Sequence, residues 1–274
     1  MEPETGLSKP VAVVACATMA FLYVAILYAP TLILRLPAPS SIKEFMIRRF
    51  ICAAISSFIS LVLCAFLLPL RKREATYLLG VYGIRLDHFW QAVVFPLSLT
   101  SLITFLLGCL QLPPMSWLGV IMLWLPLTEE LVFRACMIPL LLCGGFEIYV
   151  VILLCPILFS LAHLNHWMEI YGRQNYSLLK AFMVVGLQLG YTVIFGSYAS
   201  FLFIRTGHLV APIVAHIFCN FMGLPMLFVR RTGMVSLAFI AGAVAFICLL
   251  CPISQPHLYN DGTDDCECWH GYCS

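Results

Sequence analysis

The stretch Pro126-Leu127-Thr128-Glu129-Glu130-Leu131-Val132-Phe133-Arg134 decides how this chain is read. It lies in a long apolar run. Between Gln91 and His163 the acidic and basic residues are only Glu129, Glu130, Arg134 and Glu147. Ionisable groups inside a membrane span are costly, and they face a bundle interior where they pair or do chemistry. The surrounding sequence supports a span. Of 274 residues, 62% are hydrophobic and 10% charged, against roughly 25% charged in soluble domains. Eight apolar stretches, 11–34, 50–70, 90–110, 117–143, 147–163, 181–204, 209–228 and 234–253, each approach the roughly 20 residues a spanning helix needs. None shows the period-2 alternation of a barrel strand. The expected fold is all-α, a polytopic membrane protein of about eight transmembrane helices.

Four regions follow from hydropathy: residues 1–116 with three helices and basic loops, 117–228 with the polar motifs, 229–253 with a last helix, and 254–274 as a flexible acidic tail. Net charge is +2, so no nucleic-acid partner is implied. Lys and Arg divide six to eight between alternate sides of the bundle, too evenly for the positive-inside rule to fix orientation. The segment Gly80–Arg85 is expected along the membrane interface. Asn175-Tyr176-Ser177 is a formal glycosylation sequon, and Trp167, Tyr171 and Tyr176 suit an interface. Most of the 13 cysteines fall in apolar stretches, where a free Cys behaves as a small hydrophobe.

Two more polar sites follow downstream: Phe159-Ser160-Leu161-Ala162-His163 and His216-Ile217-Phe218-Cys219-Asn220. Glu130 and Arg134 are one helical turn apart and can pair. Glu129 lies about 100° around the helix with no in-helix partner, and Pro126 is expected to break or kink the helix beside it. Phe159 shares the face of His163 and is placed to wall a site. His216 and Asn220 share a face of their own helix. Each site alone has a bland reading as an ion network, an interfacial His or an interhelical hydrogen bond. Together they form a set for amide hydrolysis. A carboxylate and a His activate water, and a second His with an Asn donates to an oxyanion. A His/His/Glu set also suits a catalytic zinc, although His-Glu-x-x-His is absent. A Cys nucleophile at Cys136, Cys143, Cys155 or Cys219 is a further option, with no sign of the lowered thiol pKa it needs. Outside enzymes, the same charges suit a transporter or proton relay, or the polar contacts of a membrane scaffold. The chain lacks the internal repeat that many transporters carry.

Glu129-Glu130-x-x-x-Arg134, Phe159-x-x-x-His163 and His216-x-x-x-Asn220, in that order within apolar helices, resemble the CAAX protease and bacteriocin-processing family. Tyr191-Thr192-Val193-Ile194-Phe195-Gly196 through Phe203-Ile204-Arg205-Thr206-Gly207-His208 looks like its eukaryotic branch, the Ras-converting type II CAAX prenyl endopeptidases. The resemblance runs over about residues 117–225. It implies an endoplasmic reticulum membrane protease that removes the last three residues of farnesylated or geranylgeranylated Cys-a-a-X proteins. By motif, Glu129 and His163 would activate water, His216 and Asn220 would form the oxyanion hole, and Glu130, Arg134 and Phe159 would support them. Asn220 beside His216 on one face looks more like an oxyanion donor pair than part of a zinc site, so no cofactor is expected, zinc being the less favoured option.

Overall fold

The computed structural model describes residues 7–69, 75–108, 117–162, 178–222 and 233–259. They form helices α1 (Lys9–Leu32), α2 (Ile42–Leu67), α3 (Ala75–Val81), α4 (Phe89–Gly108) and α5 (Trp117–Glu130). A π-helical turn (Leu131–Cys136) joins α5 to α6 (Met137–Cys143). Then come α7 (Ile148–Ala162), α8 (Leu178–Thr206), α9 (Val210–Met222), α10 (Gly233–Ile253) and a 3-10 turn (Pro256–Leu258). No strand occurs among the described residues. Each of the eight apolar stretches is helical over most of its described part. Three helices, in Lys9–Leu32, Ile42–Leu67 and Phe182–Thr206, are long and apolar enough to cross a membrane, and four shorter apolar helices accompany them. The chain is an all-α membrane protein.

The α5–π–α6 rod is central. Met137, Ile138, Leu140 and Leu141 are fully buried beneath α1, α2 and α7. Pro126 does not break the rod: α5 runs on through it. The irregularity comes later, as the π turn ahead of Pro139. A helical proline ring collides with the carbonyl four residues back, here that of Ala135. We attribute the widened turn to that conflict, and π turns of this kind are frequent at functional sites. The rod's charged residues sit at this irregular point.

Helices α2 and α5 run side by side in the same direction. Phe50 meets Trp124 (ring centroids 6.0 Å apart), the Ser57 hydroxyl donates to the Thr128 carbonyl (3.0 Å), and the Cys64 thiol reaches the Cys136 carbonyl (3.4 Å). Helix α7 returns antiparallel after the turn at Gly144–Gly145, α8 packs on α7, and α9 packs on α4, α5 and α8. The first residues of α2 and α5 and the last of α7 and α9 therefore share one side of the bundle.

Two segments depart from the sequence expectation. Val81, Tyr82 and Gly83 are buried, not laid along an interface. The Tyr82 hydroxyl donates to the Leu61 carbonyl (2.7 Å), and the Gly83 carbonyl accepts from the Leu209 amide (2.8 Å). Gly83 has φ +71°, and a Cβ there would meet Phe203 at 2.6 Å, so only glycine fits. The start of the expected tail is also packed. Tyr259 is fully buried, its hydroxyl donates to the Ile253 carbonyl (2.6 Å), and Arg205 donates to the Ser254 carbonyl (3.2 Å). A large amphipathic tyrosine drew these residues into the bundle. The rest of the tail, 260–274, lies outside the described residues, as does the sequon loop with Trp167, Tyr171, Asn175 and Tyr176.

Candidate active site

The residue before the pair, Thr128, is fixed by three elements. Its hydroxyl donates to the Leu125 carbonyl (2.8 Å), a common route for a helical Thr, so the Tyr23 hydroxyl of α1 must donate to it (3.1 Å). Its carbonyl accepts from Ser57 of α2. Tyr23 and Ser57 are buried. Neither drew attention in the sequence, because a lone Tyr or Ser in an apolar helix carries no spacing signal.

Glu130 is fully buried and serves two partners through one oxygen. Its Oε1 accepts from the Arg134 guanidinium at 3.1 Å and lies 2.7 Å from His216 Nδ1. The helical spacing predicts the first contact; the second crosses from α5 to α9 and could not be read from spacing. Arg134, also fully buried, donates to the Gly196 carbonyl of α8 (3.3 Å) and lies over the Phe159 ring of α7 (4.9 Å to the centroid). Gly196 is required by this approach: a Cβ there would sit 2.9 Å from Pro156 and 3.2 Å from the guanidinium.

Glu129 has no partner within its helix, as its position predicts, but it does meet His216. Its carboxylate lies 3.6 Å from Nε2, and its side chain keeps 13% exposure while that of Glu130 keeps none. At 3.6 Å the contact is an ion-pair distance and too long for a hydrogen bond. His216 is thus anchored at Nδ1 and open at Nε2. Phe195 (4.9 Å between centroids) and Phe159 (6.3 Å) wall its ring. Asn220, one turn further along α9, is exposed on the side where α9 ends. His163, with Asn165 and His166, lies outside the described residues, which stop at Ala162 of α7.

The structure therefore brings together Glu129, Glu130, Arg134, Phe159 and His216 from α5, the π turn, α7 and α9. Cys155 lies within electrostatic range of Arg134, and Cys219 sits between His216 and Asn220 on α9. Cys136 and Cys155 are buried in the core, and the ring nitrogens of His216 face carboxylates.

The family model for the Rce1-like type II CAAX prenyl endopeptidases matches residues 111–222, the span that holds these groups. The chain is 56% identical to CAAX prenyl protease 2 of Arabidopsis thaliana, over 98% of this chain and 97% of that one. It is 36% identical to CAAX prenyl protease 2 of Homo sapiens, over 93% and 84% of the two chains. It is 33% identical to CAAX prenyl protease 2 of Caenorhabditis elegans, over 77% and 85%. No solved structure matches it. An apolar helical bundle with these relatives along nearly its whole length is a peptidase of the membrane, and the chain belongs to the type II CAAX prenyl endopeptidase family.

Proposed function

We propose that this peptidase removes the C-terminal tripeptide from farnesylated or geranylgeranylated Cys-a-a-X proteins, Ras-type small GTPases among them, at the endoplasmic reticulum membrane. The relatives' name supports the substrate class. The observation that carries the mechanism is the pairing of one closed carboxylate, Glu130, with one accessible carboxylate, Glu129, on the two nitrogens of His216.

Glu129, with His163, takes a proton from water as its oxygen attacks the cysteine carbonyl carbon. The oxyanion that forms accepts hydrogen bonds from His216 Nε2–H and the Asn220 amide. Collapse breaks the C–N bond, and the proton held by Glu129 passes to the departing amine. An Nε2–H together with the Nδ1–H given to Glu130 requires a doubly protonated ring. Glu129, Glu130, Arg134 and His216 then sum to zero charge, which suits a buried cluster. Glu130 and Arg134 hold His216 in place; Phe159 and Gly196 hold Arg134.

The prenyl chain explains why the site lies in a bilayer. Each buried CH₂ contributes about 0.8 kcal/mol to partitioning, so the substrate's tail is already in the membrane. Side chains alone activate the water in this reading. Zinc held by the two histidines and a glutamate is the second option, and turnover by chelated, metal-free protein separates the two. The central test is purified protein with a farnesylated Cys-a-a-X peptide, measuring tripeptide release. No release, or equal release by Glu129→Gln, would refute the reading.

A further inference from the structure

The proposed cleavage leaves one charge without a counterpart: the α-carboxylate at the end of the a-a-X segment. A carboxylate near a bilayer is costly unless it is paired or kept at the polar edge. It must lie three residues from the scissile bond, about 10 Å if that segment is extended.

Helix α2 carries a cation at that reach. Its interior stripe runs Arg49, Ala53, Ser56, Ser57, Ser60 and Cys64, with all but Arg49 buried. Ser57 touches Thr128, next to Glu129. Arg49 lies two turns before Ser57, about 12 Å along the axis, toward the side where α7 and α9 end and Asn220 is exposed. Its guanidinium and the Glu129 carboxylate both lie within electrostatic range of the Tyr23 hydroxyl. Phe50, next to Arg49 in sequence, meets the half-exposed Trp124 of α5, an aromatic pair that suits the two a residues.

Arg49 is also uncommitted. Arg48 is tied to Glu44 and the Pro37 carbonyl, and Arg134 is buried on Glu130. Arg49 rests on the Phe45 ring (5.3 Å) and has no anionic partner among the described residues. The Ser40–Ser41 cap on Glu44 anchors this first turn of α2.

We infer that Arg49 binds the terminal carboxylate of the a-a-X segment and so makes this endopeptidase count three residues from the chain end. A guanidinium forks two N–H groups onto a carboxylate. The inference rests on the function proposed above.

The test compares farnesylated peptides ending in a free carboxylate and in a carboxamide, with wild type, Arg49→Gln and Arg49→Lys. Wild type is expected to cleave the acid at least tenfold better in kcat/KM, chiefly through KM. Arg49→Gln is expected to bring acid cleavage down to the amide level while amide cleavage changes less than twofold. Arg49→Lys is expected to keep at least a threefold preference. Undiminished preference in Arg49→Gln would overturn the inference and leave the proposed function standing. Equal loss on acid and amide would also overturn it, since a folding defect or a carboxylate-independent role acts on both. No cleavage of either peptide by wild type would sink the inference and the proposed function together.

Discussion

His216 Nδ1 and Glu130 Oε1 lie 2.7 Å apart, and that oxygen also takes Arg134 at 3.1 Å. Glu130 is thus the fixed point between α5 and α9, while its neighbour Glu129 keeps some access to solvent. The adjacent carboxylates have different surroundings because one helical position apart puts them on different faces.

That division predicts different phenotypes. Glu129→Gln is expected to reduce turnover at least a thousandfold with thermal stability within a degree or two of wild type. Glu130→Ala is expected to lose both, because it strands Arg134 without its carboxylate; breaking a buried pair costs about 3–5 kcal/mol. Thermal denaturation in detergent beside peptide turnover distinguishes them. An active Glu129→Gln would remove Glu129 from the chemistry.

Gly196→Ala tests the support from α8. The added Cβ has Pro156 at 2.9 Å and the Arg134 guanidinium at 3.2 Å. Overpacking of this kind costs about 1–3 kcal/mol, and here it pushes on the group that holds Glu130. Lower stability and at least tenfold lower turnover are expected. Wild-type values on both measures would mean that α7 and α8 separate freely at this point.

Much of this was legible in the sequence for a physical reason: charge in an apolar run has few explanations. Hydropathy marked the helices, and spacing gave the Glu130–Arg134 pair. Contacts between helices were illegible. Nothing in the spacing says that Glu130 meets His216 86 positions away, or that Tyr23 and Ser57 converge on Thr128. Pro126 drew attention as a helix breaker, yet the distortion sits beyond it, ahead of Pro139. Tyr259 looked like tail and is core, because composition averages over a polar segment and misses one anchoring side chain.

Cysteine chemistry is expected to be dispensable. Cys136 and Cys155 are buried in the core, and the His216 nitrogens face carboxylates. Cys136→Ala, Cys155→Ala and Cys219→Ala combined should retain turnover per folded molecule within about threefold. Abolished turnover with intact folding and peptide binding would restore a thiol nucleophile.

His208 supplies a pH dependence of stability. It joins α8 to α9, its Nε2 lies 3.3 Å from the Tyr259 carbonyl, and burial pushes it below its ordinary 6.5. Asp87 opposes that shift, while Arg85 and His88 add to it. The unfolded chain therefore takes up this proton at higher pH than the folded one. Stability tied to neutral His208 is complete above about pH 6.5 and falls as pH drops through and below that value. Melting temperature should decline from pH 7 to pH 5, and less steeply in His208→Gln. Parallel profiles for the two proteins would exclude His208 as the cause.

The last prediction concerns the side on which the site opens. The sequon at Asn175 follows α7 in sequence and lies outside the described residues. The proposed prenylated substrates arrive from the cytosol, and that, not the near-even Lys and Arg split, sets the expectation. Arg49, near the start of α2, and Asn220, near the end of α9, lie on one side of the bundle. Asn175 is therefore expected to carry no glycan in native membranes. Endoglycosidase treatment followed by electrophoresis checks this. A mobility shift that disappears in Asn175→Gln would put the loop in the lumen and turn the site away from its substrates.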